Sequence, residues 1–246
     1  MPEWPRFGNA PISEAILDIR VTLPPYVEVQ RLASFQNPIR ARYPLSRRRT
    51  ALPTDVGLRE GGVQVVPSTT VSDGYLFSTE DRLQTVQVRM DGFTFNRLKP
   101  YDRWTTFRDE ARALWALYRE VARPERVTRL ALRYINRIAI PLPITDFSEW
   151  VRTTPEIAPG LPQNLQSFFM RLEIPYEPIG GLAIVTETIE RPEGNRLPFL
   201  LDINVITRGD LSTDDPYVWD AFDRLRDFKN EIFFKSVTDR AKELFA

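Results

Sequence analysis

RLALRYINRIAIPLP, residues 129–143, alternates as a strand does: Leu132, Tyr134, Asn136, Ile138 and Ile140 share one face, while Arg133, Ile135 and Arg137 take the other. So apolar a face belongs in a core. An amide on it costs about 1–3 kcal/mol unless it is hydrogen-bonded or lines a polar cavity. Asn136 therefore either ties down a loop or helix end, or points with Tyr134 and its hydroxyl into a pocket. Arg133 and Arg137 also have two readings. They lie over acidic side chains of a neighbouring strand or helix, or they join Arg89 and Arg97 in a basic patch for phosphate or carboxylate.

Outward from this strand the same logic assigns its neighbours. In ISEAILDIRVTL, residues 12–23, Ala15, Leu17, Ile19, Val21 and Leu23 form the core face of a strand that Pro24-Pro25 ends. YVEVQRLASFQNPIRARYP has helical spacing that Pro38 breaks or kinks. RRTALPTDVGLRE, GVQVVPSTTV and GYLFSTED read as short strands of a meander, and Arg47–Arg49 as a solvated turn. RLQTVQVRMDGFTFNRL is the clearest strand, in which Val86, Val88 and Met90 oppose Gln87 and Arg89 and Asp91-Gly92 marks a bulge or turn. Residues 101–123 carry Trp104, Phe107, Ala111, Leu114, Trp115 and Tyr118 at helical spacing up to Pro124. A Pro-rich stretch with a short helix around Trp150 leads to three strands, SFFMRLEIPY, GLAIVTETIE and PFLLDINVITR, and then to a long C-terminal amphipathic helix.

The two halves echo one another. DIRVTLP at 18–24 aligns with INRIAIP at 135–141, an offset of 117, and WTTF at 104–107 aligns with WDAF at 219–222, an offset of 115. Either amphipathic strands and helices simply look alike, or the chain is a duplication with halves 10–123 and 127–246 inside one domain, 1–246. The predicted fold class is α+β: an antiparallel sheet with two long amphipathic helices on one face and an internal pseudo-two-fold. The opposite face, or the seam between halves, is then the natural binding surface.

Composition narrows the chemistry. Lys plus Arg and Asp plus Glu balance at 33 each, so nucleic acid or an anionic surface would have to meet a local patch. The chain has no Cys and no His. That removes disulfides, thiolate and imidazole metal sites, and every nucleophile–histidine arrangement. Glu187 and Glu190 fall on opposite strand faces, and Asp202 with Asn204 offers too few oxygens for Mg²⁺. The Gly pairs at 61–62 and 180–181 lack phosphate-loop spacing and read as hairpin turns. No catalytic residue, metal site or cofactor is assigned. The N-terminus lacks the pattern of a signal peptide and no apolar run approaches a membrane span, so a cytoplasmic protein without a membrane partner is expected.

FNRLKPYDRW, residues 95–104, places Arg97 and Tyr101 at a strand-to-helix connection. It is either an aromatic hinge with Asp102 as the helix N-cap, or a stacking and charge platform for single-stranded nucleic acid. NAPISEAILDIR, FTFNRLKPYDRWTTFRDEARALWALY, LALRYINRIAIP and FKNEIFFKSVTD together resemble a sporadically distributed family of uncharacterised bacterial proteins of similar length. The resemblance spans essentially the whole chain. It implies a single-domain α+β fold and the scattered occurrence of defence-associated or toxin–antitoxin-type genes. A His often precedes the Lys-Asn pair of the last motif in that family; here Arg226-Asp227-Phe228 precedes Lys229-Asn230, which argues against an obligatory His-dependent chemistry. The expected function is a non-catalytic binding or regulatory protein engaging a protein partner, a second copy of itself, or a nucleic acid. The alternative is a small-ligand receptor or enzyme with a pocket around Tyr134, Asn136 and neighbouring arginines. The candidate partner- or ligand-binding residues are Arg97, Tyr101, Arg133, Tyr134, Asn136, Arg137, Lys229 and Asn230.

Overall fold

The computed structural model describes residues 4–51, 71–213 and 215–246. Its strands are β1 (Ile12–Thr22), β2 (Leu45–Ala51), β3 (Val71–Ser78), β4 (Gln84–Arg89), β5 (Gly92–Leu98), β6 (Arg126–Pro141), β7 (Phe169–Tyr176), β8 (Gly181–Ile189) and β9 (Arg196–Leu211). The helices are α1 (Gln36–Ile39), α2 (Trp104–Ala122), α3 (Asp215–Ser236) and α4 (Asp239–Glu243). All nine strands join one antiparallel sheet in the order β2-β3-β4-β5-β1-β6-β9-β8-β7, so the chain is α+β.

The quoted strand lies at the centre of that sheet. β6 pairs with β1 on one side, with Ala15 opposite Tyr134 and Leu17 opposite Leu132, and with β9 on the other, with Asn136 opposite Leu201. Ala15, Leu17, Ile19, Leu132, Ile138 and Ile140 are fully buried, as the period-2 pattern requires. Outward from β1 come β5, β4, β3 and β2; outward from β6 come β9, β8 and β7. In each half the first strand is central, and the last strand before the long helix returns to lie beside it.

Aromatic contacts hold α2 and α3 in place. Phe107 of α2 stacks on Phe95 at 5.1 Å, Trp115 meets Phe93 edge-on at 5.9 Å, and the Tyr118 hydroxyl donates to the Arg89 carbonyl at 2.9 Å. On α3, Phe228 stacks on Tyr176 at 3.8 Å. Burying each such ring contributes about 1.5–3 kcal/mol from transfer alone. The N-terminal part of α2 is also tied to α3, because the Trp104 indole donates to Asp223 at 2.6 Å and Arg108 forms an ion pair with the same carboxylate at 3.0 Å.

Several local expectations change. Pro38 falls within α1, which continues a 3₁₀ turn over Val29–Phe35 and ends one residue later at Ile39. The helix around Trp150 is a 3₁₀ turn at Phe147–Glu149. Arg47–Arg49 lie in edge strand β2 rather than a turn, with Arg49 ion-paired to Asp73. The N-cap of α2 is Arg103, extended and without a side-chain cap, whereas Asp102 accepts from the Thr106 hydroxyl at 3.1 Å. The C-terminal helix is interrupted before Thr238, whose hydroxyl caps α4 by accepting from the Ala241 amide at 3.2 Å. Asp91-Gly92 does join β4 to β5, and Gly180, left-handed at φ 57°, precedes β8. GVQVVPSTTV up to Thr70, the end of RRTALPTDVGLRE and the Gly61-Gly62 turn lie outside the described residues.

Candidate ligand pocket

β6 presents Tyr134 and Asn136 on its core side, and α3 brings Arg226, Lys229, Asn230 and Phe233 to the same place through i, i+3, i+4, i+7 spacing. The start of α2 adds Trp104, Thr105 and Arg108, and Tyr101 enters from the connection before it. The N-terminal segment closes another side. Trp4 stacks on Phe234 at 5.2 Å and donates to Asp227 at 3.2 Å, while Phe7 meets Phe245 edge-on. These elements line a half-open cavity of about 1110 Å³. Its wall mixes aromatic rings with cations, and Arg6, Arg103, Arg108, Arg226 and Lys229 face one lining carboxylate, Asp102.

Tyr134 is the hub. Its hydroxyl shares a 2.7 Å hydrogen bond with that of Tyr101, and its ring is met by Phe107 from α2 at 6.4 Å and by the Lys229 ammonium at 3.9 Å. Burial raises the Tyr134 hydroxyl well above its ordinary pKa and lifts Tyr101 to about 12, so both stay protonated across the neutral range. Asn136 is buried, and its Nδ2 donates to the Leu201 carbonyl at 3.0 Å and more weakly to Tyr134 at 3.4 Å.

Lys229 is the anomaly. It is 7% exposed and makes neither a hydrogen bond nor an ion pair among the described residues. Burial first, and the Arg226 charge second, lower its pKa from 10.5 to about 7. The nearby carboxylates are engaged elsewhere: Asp223 with Trp104 and Arg108, Asp227 with Trp4 and Arg226. The Arg103 N-cap of α2 has no side-chain cap and the first turn holds no acidic residue; the carboxylates at that end are Asp102, which accepts from Thr106, and Asp223, which accepts from Trp104.

Of the eight candidate residues, Tyr101, Tyr134, Asn136, Lys229 and Asn230 line this cavity. Arg97 lies near Tyr101 on the core side of β5 without reaching the wall. Arg133 and Arg137 alternate with the pocket residues and leave β6 on the other side, where Arg133 pairs with Asp202, and Arg137 with Glu190 and Glu193. Of their two readings, the structure shows the carboxylate-paired one. Sequence reasoning missed Trp4, Arg6, Arg108 and Arg226 as pocket residues. For Arg226 a signal existed, since its spacing to Lys229 and Asn230 breaks the apolar stripe of α3 with three polar side chains in a row along one face.

Among the described residues no group of three or more Asp or Glu side chains is placed to hold a metal ion, and no helix is long and apolar enough to cross a membrane. Compared with protein-family models and with curated proteins, the chain matches none.

Proposed function

We propose that the protein is a receptor for a small organic anion, a ligand with a carboxylate or phosphate on a planar or apolar body. The carrying observation is Lys229, a buried cation without a carboxylate partner on the wall of a 1110 Å³ cavity. An isolated buried charge costs several kcal/mol, and an anion that supplies its missing partner recovers much of that cost. The aromatic walls provide the stacking surface for the rest of the ligand. The aromatic sulfonate 1-anilinonaphthalene-8-sulfonate (ANS) tests this reading. It is expected to bind saturably at one site, and Arg226→Gln is expected to weaken it about ten-fold, the loss of one charge-assisted hydrogen bond. Arg191→Gln, on an exposed loop, serves as control. Equal affinity in wild type and Arg226→Gln removes the proposal.

A protein-binding role has its own support at β7, the outer strand of the sheet, where Phe169 is 70% exposed and Leu172 and Ile174 are more than a third exposed. An apolar edge strand is a template for pairing with another chain, here a second copy. Sedimentation equilibrium of wild type and Ile174→Arg tests it; a monomeric wild type at high concentration defeats it.

The architecture also supports a pseudo-two-fold duplication of halves 10–123 and 127–246 with both long helices on one face. The supporting features are the central antiparallel β1–β6 pair, the mirrored strand order around it, and the ring of Tyr134 touched from both α2 and α3. The cavity then lies at the seam between the halves, and the resemblance to an uncharacterised bacterial family would extend this receptor role to its other members.

A further inference from the structure

We propose that Lys229 is a nucleophile, and that the cavity captures an aldehyde or ketone bearing an anionic group as an imine on its Nζ. This rests on the anion-receptor reading of the same cavity and adds the chemical class of the ligand's second group.

The choice of residue is informative. Of 33 Lys plus Arg side chains only four are lysine. The other three are engaged at the surface: Lys99 donates to Asn9 at 3.1 Å, Lys235 pairs with Glu231, and Lys242 pairs with Asp239 at 2.8 Å. Lys229 alone is buried. A clamp for a carboxylate or phosphate is better made from arginine, whose planar fork binds both oxygens, and this chain uses arginine almost everywhere. Lysine differs in one relevant respect: it can shed its proton.

The surroundings favour that loss. Burial among aromatic rings and the Arg226 guanidinium, one turn earlier on α3, both disfavour the ammonium, and together they bring it to about 7. An amine desolvated in an apolar pocket or set beside another cation is a known way to activate a lysine toward carbonyls. The Tyr134 ring lies 3.9 Å from the Lys229 Nζ, and the titratable and charged groups that line the cavity with it are Arg226 from its own helix, Tyr101 and Asp102 from the connection before α2, Arg103 and Arg108 at the start of α2, and Arg6 from the N-terminal segment. The Tyr134 ring opposes deprotonation by a cation–π contact. No carboxylate pairs with Lys229: Asp223 and Asp227 are bound to other donors, and Asp102, which lines the same cavity, pairs with Arg103 and accepts from Thr106.

The step is balanced without an oxidant. The Nζ lone pair attacks the carbonyl carbon as the C=O π pair moves to oxygen. The resulting carbinolamine then expels that oxygen as water, which carries away both amine protons. Amine plus carbonyl gives imine plus water. The ligand's anionic group meets Arg226.

Pyridoxal 5′-phosphate is a suitable probe because it joins an aldehyde, a planar ring and a phosphate. The full chain is incubated with it, sodium borohydride reduces any imine to a stable secondary amine, and peptide mass mapping counts the label at each of the four lysines. Label is expected at Lys229 at least roughly ten-fold faster than at the others, with a rate that rises as pH passes about 7. It is expected to vanish in Lys229→Arg and Lys229→Met, with near-ultraviolet circular dichroism reporting their folding, and to persist in Lys235→Arg. If the probe displaces ANS yet labels only Lys99, Lys235 and Lys242, the nucleophile is refuted and the anion receptor stands. If it neither displaces ANS nor labels Lys229, both fall.

Discussion

Asn136 and Lys229 meet burial in different ways. The amide of Asn136 donates to Leu201 across the β6–β9 seam, whereas the ammonium of Lys229 has only an aromatic ring. Asn136→Ile removes that donor and leaves the Leu201 carbonyl with one partner fewer, so a loss of about 1 kcal/mol is expected in urea denaturation. A neutral result with weakened ANS binding would instead make Asn136 a pocket residue and not a tie. The absence of histidine makes a second measurement unusually clean, because few groups here titrate between pH 5 and 9. Burial raises Glu187 from 4.5 to about 7, and its Oε2 has no hydrogen-bond partner. Between those values the folded chain holds the proton more tightly than the unfolded one, so stability is full below pH 4.5 and falls as pH rises to about 7. Lys229 acts in the opposite sense. Lowered from 10.5 to about 7, it binds its proton more tightly in the unfolded chain, so stability rises with pH across that range. The two groups together are expected to place a minimum of stability near neutrality, each limb on the order of a few kcal/mol deep. Urea midpoints against pH check this: Glu187→Gln should flatten the acid limb and Lys229→Met the alkaline one.

At the scale of elements, the ends of helices and the close approach of strands set the sensitive positions. α2 ends with Arg123 in the left-handed region at φ 49°, its N–H donating to the Arg119 carbonyl at 2.9 Å. A side chain there is strained where glycine is not, so Arg123→Gly is expected to stabilise by about 0.5–1 kcal/mol, a gain readable as a raised Tm. β8 shows the reverse. A Cβ on Gly181 would stand 1.9 Å from the Ile206 carbonyl oxygen, a backbone atom that cannot step aside. Gly181→Ala should therefore cost about 1–3 kcal/mol and loosen the β8–β9 pairing, which amide exchange along β8 would report.

For the whole molecule, the central β1–β6 pair and the Trp104–Asp223 link join the two halves of the chain. Separated halves would expose two long central strands along their hydrogen-bonding edges. Fragments 1–123 and 124–246 are expected to aggregate singly and to co-purify one to one when co-expressed. A half that is folded and monomeric alone would show that the seam is dispensable for stability.

Local pattern was enough for the parity of β1 and β6 and the apolar stripe of α2, because periods of 2 and 3.6 residues are written in neighbouring side chains; it left open whether Asp91-Gly92 bulges one long strand or, as the structure has it, turns between β4 and β5. It also placed Asn136 on the buried side of β6. It could not tell that Arg133 and Arg137 would meet Asp202, Glu190 and Glu193, since ion pairing depends on which strands become neighbours, and β9 lies more than fifty residues from β6 in the chain. The pocket is further still from local reading. Its walls come from the N-terminal segment, the start of α2, the middle of β6 and the middle of α3, and no window of sequence contains two of them. The sequence alone determined the apolar faces of the central strands and of α2, though not that Arg89, Asp18 and Glu187 would also be buried. Only the tertiary structure decided that Lys229 would be buried without a counter-charge, because a missing partner is a property of everything packed around it.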